Sequence, residues 1–201
     1  MAGIILASQS PRRQQLLEQI GLEFEIVASK LEEVIDADIS AHEVAMSLAK
    51  QKCLDVASNV KGDYIIIAAD TIVVNSGKIL GKPKDKVEAF EMLNSLNGIW
   101  HEVITGLCLY RTIDGIQKNE FVKTRVKMSH STEDFLHWYV STGEPLDKAG
   151  SYGIQGFGAM LVEEIQGCFY NVMGLPINRL CSMLGELGYN RAQGIIHTNK
   201  G

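Results

Sequence analysis

The stretch IIIAADTIVVNSGKILGKPKDK, residues 65–86, decides the predicted fold. It opens with five apolar residues, the pattern of a strand that is buried on both faces. Asp70 follows them directly, and TIVV-NSG-KIL then indicates a hairpin that turns at residues 75–77. Because ligands of open α/β sheets bind beyond the carboxyl ends of strands, we expect Asp70 to end the buried strand beside a ligand site.

Segments with helix and strand patterns alternate on both sides of this stretch. The strand-like segments are residues 3–8, 23–29, 102–112 and 120–128. The helix-like segments are residues 10–21, 40–60, 85–98, 131–142 and 175–188. Residues 143–176 are rich in glycine and are predicted to be irregular. This mixture predicts an α/β fold with a long mixed sheet flanked by helices.

Several of the helices carry start signals in the sequence. A serine before proline marks one of them, and an N-cap residue followed three positions later by glutamate marks two others. These signals are Ser10 with Pro11, Ser40 with Glu43, and Asp85 with Glu88.

Length, composition and charge limit the class of protein. The 201 residues suit one domain, or two lobes that share a sheet, and no apolar run approaches the ~20 residues of a membrane-spanning helix. The apolar stretch at the N-terminus is too short for a signal peptide, and the four cysteines are widely spaced, so we expect a cytoplasmic protein with reduced thiols and no membrane partner. The net charge of −5, without a basic stripe, argues against a nucleic-acid partner.

The segment ASQSPRR, residues 7–13, is a candidate anion site. A strand leads into a serine-bearing loop and then into a helix whose first turn carries Arg12 and Arg13. Exposed N–H groups and the helix dipole favour a phosphate at such a helix N-terminus, and arginine adds bidentate donors. The alternative is a solvated arginine pair, which opposes the dipole at a small cost.

Asp70 and Lys82 are candidates for handling a phosphate and its metal. A carboxylate in the position of Asp70 can bind Mg²⁺ or Mn²⁺, or can orient a water; the alternative is an aspartate that caps a turn. Pro83 stiffens the loop that carries Lys82, so this lysine has little conformational freedom as a phosphate-binding candidate. The alternative is an ordinary exposed lysine without a role in binding. The acidic run at residues 31–38 contains Glu33, which is the other obvious place for a metal-binding carboxylate.

Two further features are less specific. Lys52, in the second half of its predicted helix, could simply complement the helix dipole. The segment GSYGIQGFGA, residues 150–159, fails the dinucleotide-binding pattern, but its glycines next to Tyr152 and Gln155 suit a tight loop that hydrogen-bonds a flat ligand such as a base.

Taken together, the motifs resemble those of the Maf family of nucleoside triphosphate pyrophosphatases. They are SQSPRR, EE, AKQK, AADT, GKP, TG, DKAGSYGIQG and YNVMGLP, in that order. The resemblance extends from Ile4 to about Leu187. It implies one catalytic domain over residues 1–189, with two lobes around one cleft and a fold similar to that of inosine triphosphatases; residues 190–201 are expected to fray.

The resemblance also implies the reaction and the roles of the site residues. Family members hydrolyse nucleoside triphosphates between the α- and β-phosphates with a divalent metal cation, Mg²⁺ or Mn²⁺, and a homodimer is expected. Asp70 matches the proton acceptor and, together with Glu33, the metal-binding acids. The other matches are Lys52 and Lys82 for the phosphate-facing lysines, and Ser8, Arg12 and Arg13 for the anion-binding loop.

The base preference is implied by three side chains. Arg12, Thr71 and Gln155 resemble the family branch that acts on dTTP and UTP. The rival interpretation is a nucleotide-sensing regulator of cell division and septum formation, with little or no hydrolysis. Such a sensor would need the nucleotide pocket but would not need a base that activates water.

Overall fold

The structure is a computed structural model that describes residues 2–31 and 39–189. Its strands are β1 (Gly3–Leu6), β2 (Glu25–Ile26), β3 (Tyr64–Asn75), β4 (Lys78–Leu80), β5 (Trp100–Arg111), β6 (Gln117–Met128) and β7 (Val162–Gln166). Its α-helices are α1 (Pro11–Gln19), α2 (Ala41–Asn59), α3 (Lys86–Leu96), α4 (Glu133–Ser141), α5 (Phe169–Val172) and α6 (Ile177–Glu186).

The strands form one mixed sheet in the order β2-β1-β3-β5-β6-β7, and β4 pairs with β3. Strand β1 runs parallel to both β2 and β3. Strand β4 is antiparallel to β3, and β7 is antiparallel to β6. The predicted α/β class with a long mixed sheet flanked by helices is therefore confirmed.

The chain divides into two compact units. The first contains the described residues up to Asp70, residues 105–122 and the described residues from Gly174 onward. The second contains residues 71–104 and 123–173. In the first unit α2 buries Ala49 and Cys53 in a core with Ile5 and Ile66, and in the second Leu93 and Tyr139 share a core. Apolar burial of this kind is what stabilises each unit.

Strand β3 corrects one expectation from the sequence. Asp70 does not end a strand, because β3 continues without interruption from Tyr64 to Asn75. The β-branched residues that follow Asp70 favour the extended backbone, and β5 lies beside β3 in the sheet. What does end near Asp70 is the pairing with β1, whose last register pair is Leu6 with Ile67. Asp70 therefore lies three residues beyond the end of its parallel neighbour.

The helix signals are borne out in part. Glu43 accepts a hydrogen bond from the backbone N–H of Ser40 at 2.9 Å, so the first capping box is present. Asp85 caps α3, but Glu88 accepts from the N–H of Lys84 at 2.6 Å instead of returning to Asp85. The capping box predicted at Asp85 and Glu88 is therefore only half formed, because Glu88 bonds the N–H one residue before the N-cap.

Two other segments differ from the prediction. The strand expected over residues 23–29 shortens to Glu25–Ile26, and the segment predicted to be irregular contains β7 and α5. Strand β7 carries two glutamates and shows no clear alternation, so pairing with β6 decides its conformation. Within residues 2–31 and 39–189, no helix has the length and apolar character needed to cross a bilayer.

Candidate active site

Asp70 and Lys52 form the centre of the candidate site in the first unit. Asp70 is only 8% exposed, and the Lys52 ammonium donates a hydrogen bond to its Oδ1. Helix α2 supplies the lysine and β3 supplies the carboxylate. A largely desolvated ion pair of this kind fixes both groups, because each would be costly to bury alone. The structure thus brings together two of the predicted catalytic residues.

Gly106 sets the distance between α2 and the sheet. A Cβ atom on Gly106 would lie 2.2 Å from the carbonyl oxygen of Ala45, a backbone atom of α2. Lys52 stands seven residues after Ala45, which is close to two helical turns, and so lies on the same side of the helix. The absence of a side chain at Gly106 therefore lets α2 approach closely enough to place Lys52 against Asp70.

Arg13 organises the serine loop at the start of α1. Its Nη1 donates to the Ser8 hydroxyl at 3.1 Å, and its Nε donates to the carbonyl oxygen of Gly174 at 2.9 Å. The Ser8 hydroxyl also accepts from the backbone N–H of Ser10 at 3.2 Å. Arg12 lies in the same helical turn, which contains no acidic residue, and is half-buried. The loop is thus electropositive and fixed at two points.

The predicted start of α1, with Ser10 at the N-cap and Pro11 at the first helical position, is confirmed. Ser10 occupies the N-cap position of α1, but among the described residues its side chain makes no cap hydrogen bond. The hydroxyl of Ser8 is the one that organises the turn, because it accepts from both the Ser10 backbone and Arg13.

The remaining predicted ligand residues lie in the second unit. Thr71 is half-buried in β3, whereas Lys82 and Gln155 are exposed. The loop that carries Lys82 is held by a hydrogen bond from the Gly150 N–H to the Gly81 carbonyl oxygen at 3.0 Å. This bond joins the Lys82 loop to the segment that leads toward Gln155.

The loop around Gln155 is held by two residues that the sequence analysis did not single out. Tyr139 donates a hydrogen bond to Glu144, and the carboxylate of Glu144 accepts from the N–H groups of Phe157 and Gly158, all at 3.0 Å. A signal in the sequence that could have found them is the spacing of glycines around Gln155, since closely packed backbone N–H groups need an acceptor.

Tyr152, in the same glycine-rich segment as Gln155, is a buried core residue. It is 5% exposed, and its hydroxyl lies 2.6 Å from Nε2 of His101. Desolvation lowers the pKa of His101 to about 4. The imidazole is therefore neutral at physiological pH, and it belongs to the core.

The acidic partner predicted for a metal, Glu33, lies outside the described residues. Within residues 2–31 and 39–189, no three Asp, Glu, His or Cys side chains cluster in a way that could hold a metal ion. Mg²⁺ is commonly held by one or two carboxylates together with substrate phosphates, while water fills its other positions. The buried Asp70 carboxylate therefore fits a metal that is held jointly with a substrate.

Cys53 is a poor candidate for a nucleophile at the centre of the first unit. Cys53 follows Lys52 directly, and its contact with Cys108, together with burial, raises the pKa of the Cys53 thiol well above its usual value. A protonated, buried thiol is inert, since the thiolate is the reactive form. Carboxylate and cationic chemistry is what this part of the chain offers.

Comparisons with known proteins agree with the fold and with the motifs. A HAM1 protein from Coxiella burnetii has a TM-score of 0.50 and 13% sequence identity, and the alignment covers 92% of this chain and 100% of that protein. This match concerns the fold alone, and it confirms the predicted similarity to the inosine triphosphatase fold.

Sequence relatives are much closer to this chain. A Caldicellulosiruptor bescii protein named dTTP/UTP pyrophosphatase is 48% identical over 200 residues, which cover 96% of this chain and 99% of that protein. An Acetivibrio thermocellus protein of the same name is 48% identical over 194 residues, covering 94% of this chain and 96% of that protein. The family model for Maf-like proteins matches residues 3–187, and the chain therefore belongs to the Maf family.

Proposed function

We propose that this protein hydrolyses dTTP and UTP between the α- and β-phosphates and releases a nucleoside monophosphate and pyrophosphate. The observation that carries the proposal is the pairing of the buried Asp70 with Lys52, just beyond the end of β1. It is supported by relatives that share 48% of their residues with this chain and are named for this activity.

Asp70 accepts the proton of the attacking water in this proposal. The water oxygen bonds to the α-phosphorus, the bond from that phosphorus to the bridging oxygen breaks, and pyrophosphate leaves with the bonding electrons. Lys52 holds the carboxylate in one position, because its ammonium is bonded to Oδ1. A fixed base and fixed charges are the main demands of such a reaction, since positioning and electrostatic stabilisation dominate phosphoryl transfer.

The phosphate chain is bound by the serine loop and the lysines. Ser8, Arg12 and Arg13 surround the start of α1, where the helix dipole also favours an anion. Arg13 acts partly through Ser8, because it donates to that hydroxyl. Lys52 and Lys82 neutralise charge on the phosphates in this proposal.

Asp70 and Glu33 would hold a divalent cation, Mg²⁺ or Mn²⁺. When bound, such a cation neutralises charge on the phosphate oxygens and on the leaving pyrophosphate. The contribution of the protein is the carboxylate itself, which is held by Lys52 in a site from which most water is excluded.

Base choice is assigned to Arg12, Thr71 and Gln155. Gln155 is the most accessible of the three and carries an amide that can both donate and accept hydrogen bonds. A uracil or thymine ring presents alternating carbonyl and N–H groups, which such an amide can match. A purine presents a different pattern and a larger outline.

Several other predictions stand as proposals. They are a single catalytic domain over residues 1–189 with two lobes around one cleft, a homodimer, a cytoplasmic location, and the absence of nucleic-acid and membrane partners.

Product analysis tests the proposed function. The protein is incubated with Mg²⁺ or Mn²⁺ and with dTTP, UTP, CTP, GTP or ATP, and the products are separated. Monophosphate plus pyrophosphate, formed fastest from dTTP or UTP, is expected. Release of orthophosphate would replace the proposal with a phosphatase, and binding without turnover would favour the nucleotide-sensing regulator.

A further inference from the structure

We propose that Tyr139 and Glu144 are positioning residues that fix the loop bearing Gln155 and thereby set the base preference. This inference rests on the proposed function, because it assigns a cause to the base choice of the same site. Neither residue needs to contact the nucleotide, since both act through the backbone on either side of Gln155.

The two residues hold both ends of the loop. The Tyr139 hydroxyl accepts a hydrogen bond from the N–H of Gly153 at 3.3 Å and donates to Glu144 at 3.0 Å. Glu144 accepts from the N–H groups of Phe157 and Gly158, both at 3.0 Å. The residues between these anchors are Ile154, Gln155 and Gly156, so the exposed glutamine projects from a span tied at each end.

The packing around the anchors leaves little room for other arrangements. A Cβ atom on Gly156 would lie 2.6 Å from Oε2 of Glu144, and Gly156 has a φ of +63°. A Cβ atom on Gly158 would lie 2.2 Å from the Gly153 carbonyl oxygen and 2.7 Å from the Tyr139 hydroxyl. The phenol and the carboxylate are therefore pressed against loop backbone, which defines the path of the chain through Gln155.

The anchors are themselves rigid and keep their protonation states. Tyr139 is fully buried in the core of the second unit. Burial, and then the neighbouring Glu144 carboxylate, raise the pKa of Tyr139, so its hydroxyl remains a donor across the physiological range. Glu144 begins a short 3₁₀ turn between Gly143 and Lys148, and the Lys148 ammonium donates to the Glu144 carbonyl oxygen at 2.6 Å. Tyr139 and Glu144, together called the brace below, are thus tied to the core on one side and to the loop on the other.

A loosened loop would reduce discrimination more than chemistry. If the loop adopts the conformation that places Gln155 against the base only part of the time, the apparent affinity for the preferred nucleotide falls to that fraction. The triphosphate contacts are common to all nucleotides and lie elsewhere in the chain. Loss of one hydrogen bond in the brace should therefore lower the ratio of dTTP to GTP turnover by about fivefold, the change expected for one net hydrogen bond.

The test compares kcat/KM for dTTP and for GTP in four proteins. They are the unmodified chain, Glu144→Gln, Tyr139→Phe, and the control Glu120→Gln. Glu120 is a matched carboxylate in the first unit that accepts hydrogen bonds from Arg179 and has no connection to the loop. Circular dichroism and a thermal melt establish that each variant is folded.

We expect the dTTP to GTP ratio to fall about fivefold in both brace variants, through KM for dTTP, and to stay unchanged in Glu120→Gln. An equal loss with both nucleotides, or an unchanged ratio, would overturn the inference, because a merely structural role lowers both rates together. If Tyr139→Phe fails to fold, Glu144→Gln decides alone, because it preserves the shape of the side chain.

Gln155→Ala separates this inference from the proposed function. If Gln155→Ala lowers the ratio while the brace variants leave it unchanged, the base-reading role stands and the positioning role is refuted. If the unmodified chain shows no turnover, the proposed function fails. The same ratio is then read from equilibrium binding of dTTP and GTP, where a drop in the brace variants supports the inference and an unchanged ratio refutes it.

Discussion

Substitution of Gly106 by alanine tests how the fold places the proposed catalytic pair, Asp70 and Lys52. The new Cβ atom would lie 2.2 Å from the Ala45 carbonyl oxygen and 2.4 Å from the Ala45 carbonyl carbon, whereas ordinary contacts begin near 3.4 Å. Both atoms belong to the backbone of α2, so no rotamer change can relieve the clash. Helix α2 must therefore retreat from the sheet by about 1 Å at this point.

The expected losses of stability and of turnover follow from the displacement of α2, which carries Lys52. Overpacking of a core costs about 1–3 kcal/mol, and the upper end applies because a helix backbone has to move. For a chain of this length, 3 kcal/mol corresponds to a fall in melting temperature of roughly 6–12 °C. Lys52 moves with the helix, and a displacement of about 1 Å at a catalytic group lowers turnover by about 100-fold.

Gly185→Ala is the matched control. A Cβ atom on Gly185 meets nothing within 4 Å, and this glycine lies in α6 with ordinary helical geometry. Alanine there should stabilise the protein by about 0.4–1 kcal/mol and leave turnover unchanged. Thermal unfolding and steady-state hydrolysis are measured on both variants.

Two results would refute the reasoning about Gly106. An unchanged melting temperature in Gly106→Ala would mean that α2 does not press on the sheet as the structure indicates. A lower melting temperature with unchanged turnover would mean that the helix moves without displacing Lys52, which would remove the proposed link between packing and catalysis.

The remaining predictions concern single side chains. Asp70→Asn should fold but lose most of its turnover, whereas Asp114→Asn, which alters a surface ion pair, should keep it; equal rates in the two variants would refute the base role. Arg13→Lys should raise KM about fivefold for every nucleotide, since one ammonium cannot replace the guanidinium bonds to Gly174 and the serine loop, and a change in kcat alone would contradict this. Burial lowers the pKa of His101 to about 4 from an ordinary 6.5, so the unfolded chain binds an extra proton as the pH falls between these values. The free energy of unfolding should therefore drop by about 3 kcal/mol at most over this range. Thermal melts at pH 7 and pH 4.5 should show a smaller pH dependence for His101→Gln than for the unmodified chain.

Local signals predicted the elements whose formation depends on neighbours in sequence. The apolar run before Asp70 predicted a buried strand, and Ser40 with Glu43 predicted the start of α2, since a capping box involves only one turn of chain. Strand β7 was missed because its exposed glutamates carry no strand pattern of their own, and only pairing with β6 places it in the sheet.

The arrangement of the site depended on information that a linear pattern does not hold. The apolar run indicated a strand, but the end of pairing at Ile67 depends on the length of β1, which lies about 60 residues earlier. Lys52 was matched to a role only through the family resemblance, because 18 residues separate it from Asp70. Their contact depends on how closely α2 approaches β5 at Gly106, and that approach is a tertiary property.

In the proposed site, the residues that would handle the nucleotide and the residues that fix the backbone are different in both units. In the first unit Gly106 determines where Lys52 stands, and in the second Glu144 and Gly156 determine where Gln155 stands. Gln155 is exposed and contributes little to either core, so its replacement should change the base preference at small cost in stability. A Cβ atom on Gly106 would meet the α2 backbone, and one on Gly156 would meet the Glu144 carboxylate at a φ of +63° that disfavours a side chain, so replacement of either glycine should cost stability and function together. If Gln155 has the proposed role, we therefore expect that base preference can be altered at this exposed side chain while the backbone that carries it stays unchanged.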